Sequence, residues 1–89
     1  MITGNTLKAY KKRLLIALDE RFGIEVKERY LLDDVLLNLD REATREHVVQ
    51  ALDALRDDGY ASRRVLEFDG VVWKITQEGH AAAQKLLPS

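Results

Sequence analysis

Hydrophobic spacing changes from helical to strand-like and back within the second half of the chain. Apolar residues first recur at helical intervals, at Val48, Leu52 and Leu55. Two strand-like apolar runs follow, residues 65–68 and 71–75, and a single Asp-Gly pair separates them. Such a pair between short strands is a strong hairpin signal, because both residues tolerate the positive φ angles of a tight turn. Residues 44–87 are therefore predicted to form a helix, a two-stranded ribbon and a last helix.

The first half of the chain begins with a predicted helix from about Thr6 to Phe22. One stripe of this helix carries Leu7, Tyr10, Leu14, Leu18 and Phe22, with Leu15 at its edge. Asn5 or Thr6 is the expected N-cap, and Gly23 is the expected stop. Ile16 lies off the stripe, which fits either a lone exposed apolar residue or one half of a dimer contact.

A short strand and a second helix are predicted next. Residues 24–27 alternate between apolar and polar side chains, as a half-buried strand does. Helical spacing then returns at Leu32, Val35, Leu36 and Leu39. Asp33 and Asp34 are assigned to the first turn of this helix, where negative charge favours the helix dipole. Leu31 and Leu37 lie off its apolar stripe.

The third helix is predicted to begin after Asp40 or after Thr44, since both residue types cap helices well. Its inward face carries Val48, Ala51, Leu52 and Leu55, with Val49 beside them. Gly59 supplies the left-handed conformation that ends many helices.

A two-residue turn at Asp69-Gly70 predicts which ribbon side chains point inward, because it sets Phe68 opposite Val71 and Leu66 opposite Trp73. The inward set is then Arg64, Leu66, Phe68, Val71, Trp73 and Ile75, and the outward set is Arg63, Val65, Glu67, Val72 and Lys74. Trp73, Phe68 and Tyr60 are accordingly interpreted as core rather than as a stacking platform for single strands. Thr76 is expected to cap the last helix. Leu86 and Leu87 are expected to pack this helix against the rest of the domain, and Pro88 is expected to end it.

The composition describes one folded domain, residues 1–89, with 46% hydrophobic and 33% charged residues. Its net charge of -1 lacks the basic excess that nucleic-acid binders usually show. The charge is nevertheless uneven. Lys8, Lys11, Lys12 and Arg13 precede residues 19–58, which carry twelve acids against six bases. This asymmetry fits either a DNA-facing edge or a solvated surface.

Several classes of function are disfavoured. With no cysteine and only two histidines, the chain is expected to form no disulfide and no zinc site. The five glycines are all isolated, and no catalytic triad pattern is present, so we predict neither enzymatic activity nor a cofactor. No apolar run approaches the ~20 residues that span a bilayer, and the N-terminus lacks a signal pattern. We therefore expect a cytoplasmic protein with no membrane partner.

The predicted order of elements matches the winged helix-turn-helix, an α+β fold in which a three-helix bundle carries a β-hairpin wing and a C-terminal helix. Residues 48–60 and 73–79 resemble the corresponding parts of small MarR-like and PadR-like transcriptional regulators of bacteria and archaea. In that group the recognition helix ends in a leucine, a few polar residues and glycine. The return strand of the wing ends in a hydrophobic residue, threonine, two polar residues and glycine, as Ile75-Thr76-Gln77-Glu78-Gly79 does here.

This resemblance implies a homodimer on double-stranded DNA, with one recognition helix in each major groove and the wings along the flanking backbone. The chain departs from the family in being shorter, with no obvious long dimerisation helix. The outward face of the third helix carries Glu46, His47, Gln50, Asp53 and Asp57.

Individual roles on DNA follow from side-chain chemistry. Gln50 is suited to adenine, Glu46 to the amino group of cytosine, and His47 to a base or a phosphate. Arg45 is suited to guanine or a phosphate. Arg63, at the start of the wing, is assigned to a phosphate. Acids on the outward face of the third helix oppose these contacts, because they repel the DNA backbone.

The alternative is a winged helix that binds a protein, through an acidic third helix that docks a basic partner. Leu31, Leu37 and Ile16 are the candidate contact residues of this alternative. A continuous basic strip past the third helix favours DNA, whereas an acidic groove favours a protein.

Overall fold

The computed structural model describes residues 3–86, which fold into four helices and three strands. In chain order these are α1 Gly4–Asp19, β1 Val26–Lys27, α2 Glu28–Asn38, α3 Arg45–Asp57, β2 Ala61–Leu66, β3 Gly70–Ile75 and α4 Gln77–Leu86. The strands form one antiparallel sheet in the order β1-β3-β2. Helices α1, α2 and α3 pack together, β2 and β3 form the hairpin, and α4 packs on α1. This is a winged helix fold, and it confirms the predicted α+β class.

Helix α1 begins and ends earlier than predicted. Its N-cap is Thr3, whose hydroxyl accepts a hydrogen bond from the Thr6 amide at 3.3 Å. The expected caps at Asn5 and Thr6 are therefore wrong. The helix ends at Asp19, and turn residues lead to Gly23, which has a φ of 84°. Phe22 consequently leaves the apolar stripe, and its exposed ring lies against the ring of His80.

Helix α2 begins at Glu28, earlier than predicted. The predicted positions of its aspartates and of Leu31 are therefore wrong. Asp33 and Asp34 lie in its middle rather than in its first turn. Asp34 is buried there and accepts two hydrogen bonds from Arg13, at 2.6 and 3.0 Å. Leu31 is fully buried, so it is not a surface contact residue. Leu37 is 84% exposed and remains a candidate contact residue.

Helix α3 follows its predicted pattern closely. Thr44 is the N-cap, and its hydroxyl accepts from the His47 amide at 3.1 Å. The four predicted inward residues are all buried: Val48, Ala51, Leu52 and Leu55. Gly59 has a φ of 82°, as a helix-ending glycine requires.

The register of the wing differs from the prediction. Leu66 pairs with Gly70, and Arg63 pairs with Trp73, so three residues form the hairpin loop instead of two. Phe68 lies in this loop and is 89% exposed, so its expected place in the core is wrong. Since paired residues share a sheet face, Arg63 lies on the inner face with Trp73, and Arg64 lies on the outer face with Val72. Both arginine assignments are therefore reversed.

The start of α4 is locked against the end of α3. The Thr76 hydroxyl accepts from the Gly79 amide at 3.0 Å and donates to the Gly59 carbonyl at 2.7 Å. Gly79 lies so close to Tyr60 that an added Cβ would sit 2.1 Å from its carbonyl oxygen. Leu86 is half-buried against the core, while Leu87 and Pro88 lie outside the described residues. Within residues 3–86, no helix has the length and apolar character needed to cross a membrane.

Candidate nucleic-acid interface

A groove of about 480 Å³ separates the start of α3 from the inner face of the wing. Its lining residues are Glu28, Arg45, Glu46, Val49, Arg63 and Val71. Helix α3 begins at Arg45, so the first turn of this helix forms one wall. Strand β2 brings Arg63 to the other wall, because this residue shares the sheet face of Trp73. Three residues predicted from the sequence to contact DNA, Arg45, Glu46 and Arg63, are thus brought together.

Arg45 is held in place by a carboxylate that the sequence did not single out. Its side chain is 74% exposed, yet Nη2 donates to Oε2 of Glu28 at 3.2 Å. Glu28 itself is only 7% exposed, and its Oε1 accepts from the indole nitrogen of Trp73 at 3.0 Å. A buried charge is tolerated when it has such partners. One carboxylate at the start of α2 therefore connects α3 to the wing.

The sequence did indicate that the tryptophan needs a hydrogen-bond acceptor such as Glu28. The chain has a single tryptophan, and a buried indole usually needs a hydrogen-bond acceptor. The acceptor lies 45 residues away in the sequence, however, so only the fold identifies it.

Arg63 is exposed and forms no ion pair with the residues that the structure describes. Its guanidinium is thus available to an anion, although it reaches the groove from the inner face of the wing. Its neighbour Arg64 is engaged on the outer face, where Nε donates to Glu25 at 2.7 Å. This hydrogen bond holds the pKa of Glu25 below its ordinary value. Of these two arginines, Arg63 is the one without an acidic partner among the described residues.

His47 and Gln50 are half-buried residues of α3 and do not line the groove. With helical geometry, His47 lies on the flank of α3 opposite Arg45, and Gln50 lies on the outward face between the two. That outward face also carries Glu46, Asp53 and Asp57, and Asp53 is 3.6 Å from Arg56. The flank of α3 toward the wing therefore mixes Arg45 with Glu46, whereas the outward face is acidic at Asp53 and Asp57.

A second groove, of about 470 Å³, continues the first toward the tip of the wing. The two grooves share Glu28, Arg45 and Val71. The second adds Lys27 and Arg29 from the start of α2, together with Phe68 and Asp69 from the hairpin loop. Four cations, Lys27, Arg29, Arg45 and Arg63, thus line the two adjoining grooves, together with three acids, Glu28, Glu46 and Asp69. Lys27 and Arg29 were not predicted from the sequence, because local spacing did not indicate that β1 would bring them beside the wing.

The chemistry available along these grooves is the binding of anions. Guanidinium and ammonium groups attract phosphates, and guanidinium groups also match guanine. Within residues 3–86, no group of three or more His, Asp and Glu side chains is placed to hold a metal ion.

The fold is shared with the solved structure of a transcriptional regulator from Clostridium thermocellum. The two superpose with a TM-score of 0.68 over 97% of this chain and 84% of the other, at 15% sequence identity. No protein-family model matches the chain, and no curated protein is significantly similar to it in sequence.

Proposed function

We propose that the protein binds double-stranded DNA and acts as a small transcriptional regulator. The observation that carries this proposal is the groove in which Arg45, from the start of α3, faces Arg63, from the wing. Two elements that straddle DNA in winged helix regulators each contribute a cation to it. The protein from Clostridium thermocellum that has the same fold is a transcriptional regulator, which supports the regulatory part of the proposal.

The proposed roles follow the positions of the side chains. The start of α3 enters the major groove, where Arg45 contacts guanine or a phosphate and Gln50 contacts adenine. His47 approaches a base or a phosphate, and Glu46 biases recognition toward cytosine. Arg63 holds a backbone phosphate beside the wing. The acidic loop residues Glu67 and Asp69 keep the tip of the wing out of the minor groove.

A homodimer is part of the proposal through the family resemblance. Two copies on one duplex would place their α3 helices in successive major grooves, about 34 Å apart. A pseudopalindromic operator would follow from this arrangement.

The test is a fluorescence-anisotropy titration of a labelled random-sequence duplex at ~50 and ~200 mM salt, because released counterions make affinity fall with salt. The expected result is binding that weakens steeply as salt rises. The double variant Arg45→Ala/Arg63→Ala should lower the salt slope by about 2, roughly one unit for each lost phosphate contact. Lys8→Ala/Lys12→Ala is the matched control, since it removes the same charge from α1. An absence of binding at the lower salt concentration would contradict the proposal.

A second candidate is a protein-binding winged helix, and the acidic outward face of α3 favours it. Glu46, Asp53 and Asp57 share that face, and Leu37 on α2 is 84% exposed. Ile16, another candidate contact residue, is half-buried. If DNA does not bind, a pull-down from cell extract with wild type and Leu37→Ser is the next experiment. Loss of a captured protein in the variant would support this candidate.

A further inference from the structure

An apolar groove of about 520 Å³ runs between α1 and α4, away from the groove that holds Arg45 and Arg63. Its apolar and small lining residues are Leu15, Leu55, Tyr60, Ala81, Ala82 and Leu86. Leu15 and Leu55 are buried and belong to the core, whereas Tyr60, Ala82 and Leu86 are half-buried. The groove therefore leaves apolar surface open to a partner.

Lysines surround this groove. Four of its lining residues are cations, Lys8, Lys11, Lys12 and Lys85, and one is an acid, Glu78, which leaves an excess of three positive charges. Lys11 is paired with Asp58 at 2.7 Å. The other three lysines form no ion pair within residues 3–86. With Lys11 neutralised by Asp58, the three remaining lysines and Glu78 leave an excess of two positive charges around the groove, in a chain whose net charge is -1.

The charge pattern argues against a second copy of this chain in the groove. A two-fold contact would bring the lysines of one copy against those of the other, and like charges at an interface are costly. It also argues against a nucleic acid, because a phosphate backbone would pair with the lysines but leave the apolar floor uncovered. A partner that satisfies both features has apolar residues on one side and carboxylates beside them.

We propose that the α1–α4 groove docks an acidic amphipathic helix of another protein. Leucine-type side chains at i, i+3, i+4 and i+7 would fill the groove over Leu15 and Leu55. Glutamates beside this stripe would pair with Lys8, Lys12 and Lys85. This proposal does not depend on DNA binding, because none of the candidate DNA-contact residues lines the α1–α4 groove.

The experiment uses the full chain and a labelled synthetic 18-residue helical peptide with leucines at these positions, glutamates beside the leucine stripe and alanines elsewhere. A second peptide has lysine in place of each glutamate. The glutamate peptide should bind at least about tenfold more tightly, because several partly exposed ion pairs add about 1.4 kcal/mol, which is a factor of ten. NMR amide shifts should map its site to α1 and α4.

Two variants separate the groove from other basic surfaces. Lys8→Glu/Lys12→Glu should weaken binding of the glutamate peptide about tenfold or more, while the matched charge reversal Lys27→Glu/Lys74→Glu should not. Ala81→Glu should also weaken it, because this exposed position lines the groove. The proposal is overturned if neither peptide binds at ~1 mM, if both bind equally, or if the shifts map to the Arg45–Arg63 groove. It is also overturned if sedimentation shows a dimer that the peptide cannot dissociate and that Ala81→Glu disrupts.

Discussion

The indole nitrogen of Trp73 donates a 3.0 Å hydrogen bond to Glu28, and that bond ties the wing to the start of α2. The other carboxylate oxygen of Glu28 accepts from Arg45 at 3.2 Å. The proposed DNA-contact arginine and the only tryptophan thus share one buried anion. A contact that draws Arg45 toward DNA would change the charge balance around Glu28, so the wing and α3 are physically coupled.

Glu28→Ala should destabilise the fold by about 1–3 kcal/mol, because it leaves the buried Trp73 donor without an acceptor. Glu28→Gln is the control, since its amide oxygen can still accept that hydrogen bond. Urea unfolding followed by tryptophan fluorescence measures the free energy of unfolding of each variant. Equal losses for the two variants would show that the hydrogen bond to Trp73 is not the source of the effect.

Gly79→Ala should destabilise the protein by about 2–3 kcal/mol through overpacking. The new Cβ would lie 2.1 Å from the Tyr60 carbonyl oxygen and 2.7 Å from a side-chain carbon of Ile75. Gly4→Ala is the matched control, because nothing lies within 4 Å of its added Cβ. The control should change stability by less than about 0.5 kcal/mol. Thermal unfolding of both variants tests the prediction, which fails if they have the same midpoint.

Two α3 variants should separate base recognition from phosphate binding. Arg45→Ala should weaken binding to all duplexes and lower the salt slope. Gln50→Ala should cost about 1–3 kcal/mol only on a preferred duplex, because an amide pairs with adenine but carries no charge. The preferred duplex is first selected from a random pool, and both variants are then titrated against it and against the pool. Unchanged binding in both variants would refute the base-reading role of α3.

The Tyr10–Asp40 hydrogen bond should make stability depend on pH at both extremes. Its length is 2.6 Å. Burial, with a smaller effect of the Asp40 bond, raises the pKa of Tyr10 to about 12 from 10.0. The pKa of Asp40 lies below its ordinary value of 3.8. The largest cause is the hydrogen bond from the Tyr10 phenol; the hydrogen bond from the Glu42 amide and the charge of His47 have smaller effects. The folded state therefore favours the protonated phenol and the ionised carboxylate.

The sign of each effect follows from the direction of the shift. The Tyr10 contribution is complete below pH 10 and is lost as pH rises from there to about 12. The Asp40 contribution is present above the ordinary pKa of 3.8 and is lost as pH falls through the lower folded value. Urea midpoints of wild type and Tyr10→Phe, measured from acid to alkaline pH, test both. The variant should be less stable at neutral pH, by about 1 kcal/mol, and should lose less stability at both extremes. Parallel curves would contradict the assignment.

Local sequence determined the order of elements and the inner face of α3. Val48, Ala51, Leu52 and Leu55 are buried as their spacing predicts, because a helix with that periodicity has only one apolar side to bury. Thr76 and Gly59 likewise act as cap and helix end, since these are properties of single residues and their immediate neighbours. The winged helix class follows from that order.

Tertiary structure decided the register of the wing. Gly70 has the positive φ of 84° that an Asp-Gly turn predicts, but a three-residue loop uses such a glycine as readily as a two-residue turn. The choice depends on which side chains are buried. Trp73 pairs with Val26 of β1 on one side and with Arg63 on the other, and Phe68 is left at the tip. This pairing, and not the turn residues, determines the face that Arg63 presents.

The candidate site was likewise only partly contained in the sequence. Side-chain chemistry singled out Arg45 as a cation for a phosphate. Arg63 was preferred to Arg64 because it was predicted to face outward, a position that the register of the wing reverses. Arg45 and Arg63 lie on opposite walls of one groove, and Glu28 supports Arg45. Both features depend on contacts between residues far apart in the chain. The same holds for Asp58, whose charge opposes the dipole at the end of α3 until Lys11 of α1 pairs with it. Periodicity reports what a segment buries, whereas only packing decides which segments meet.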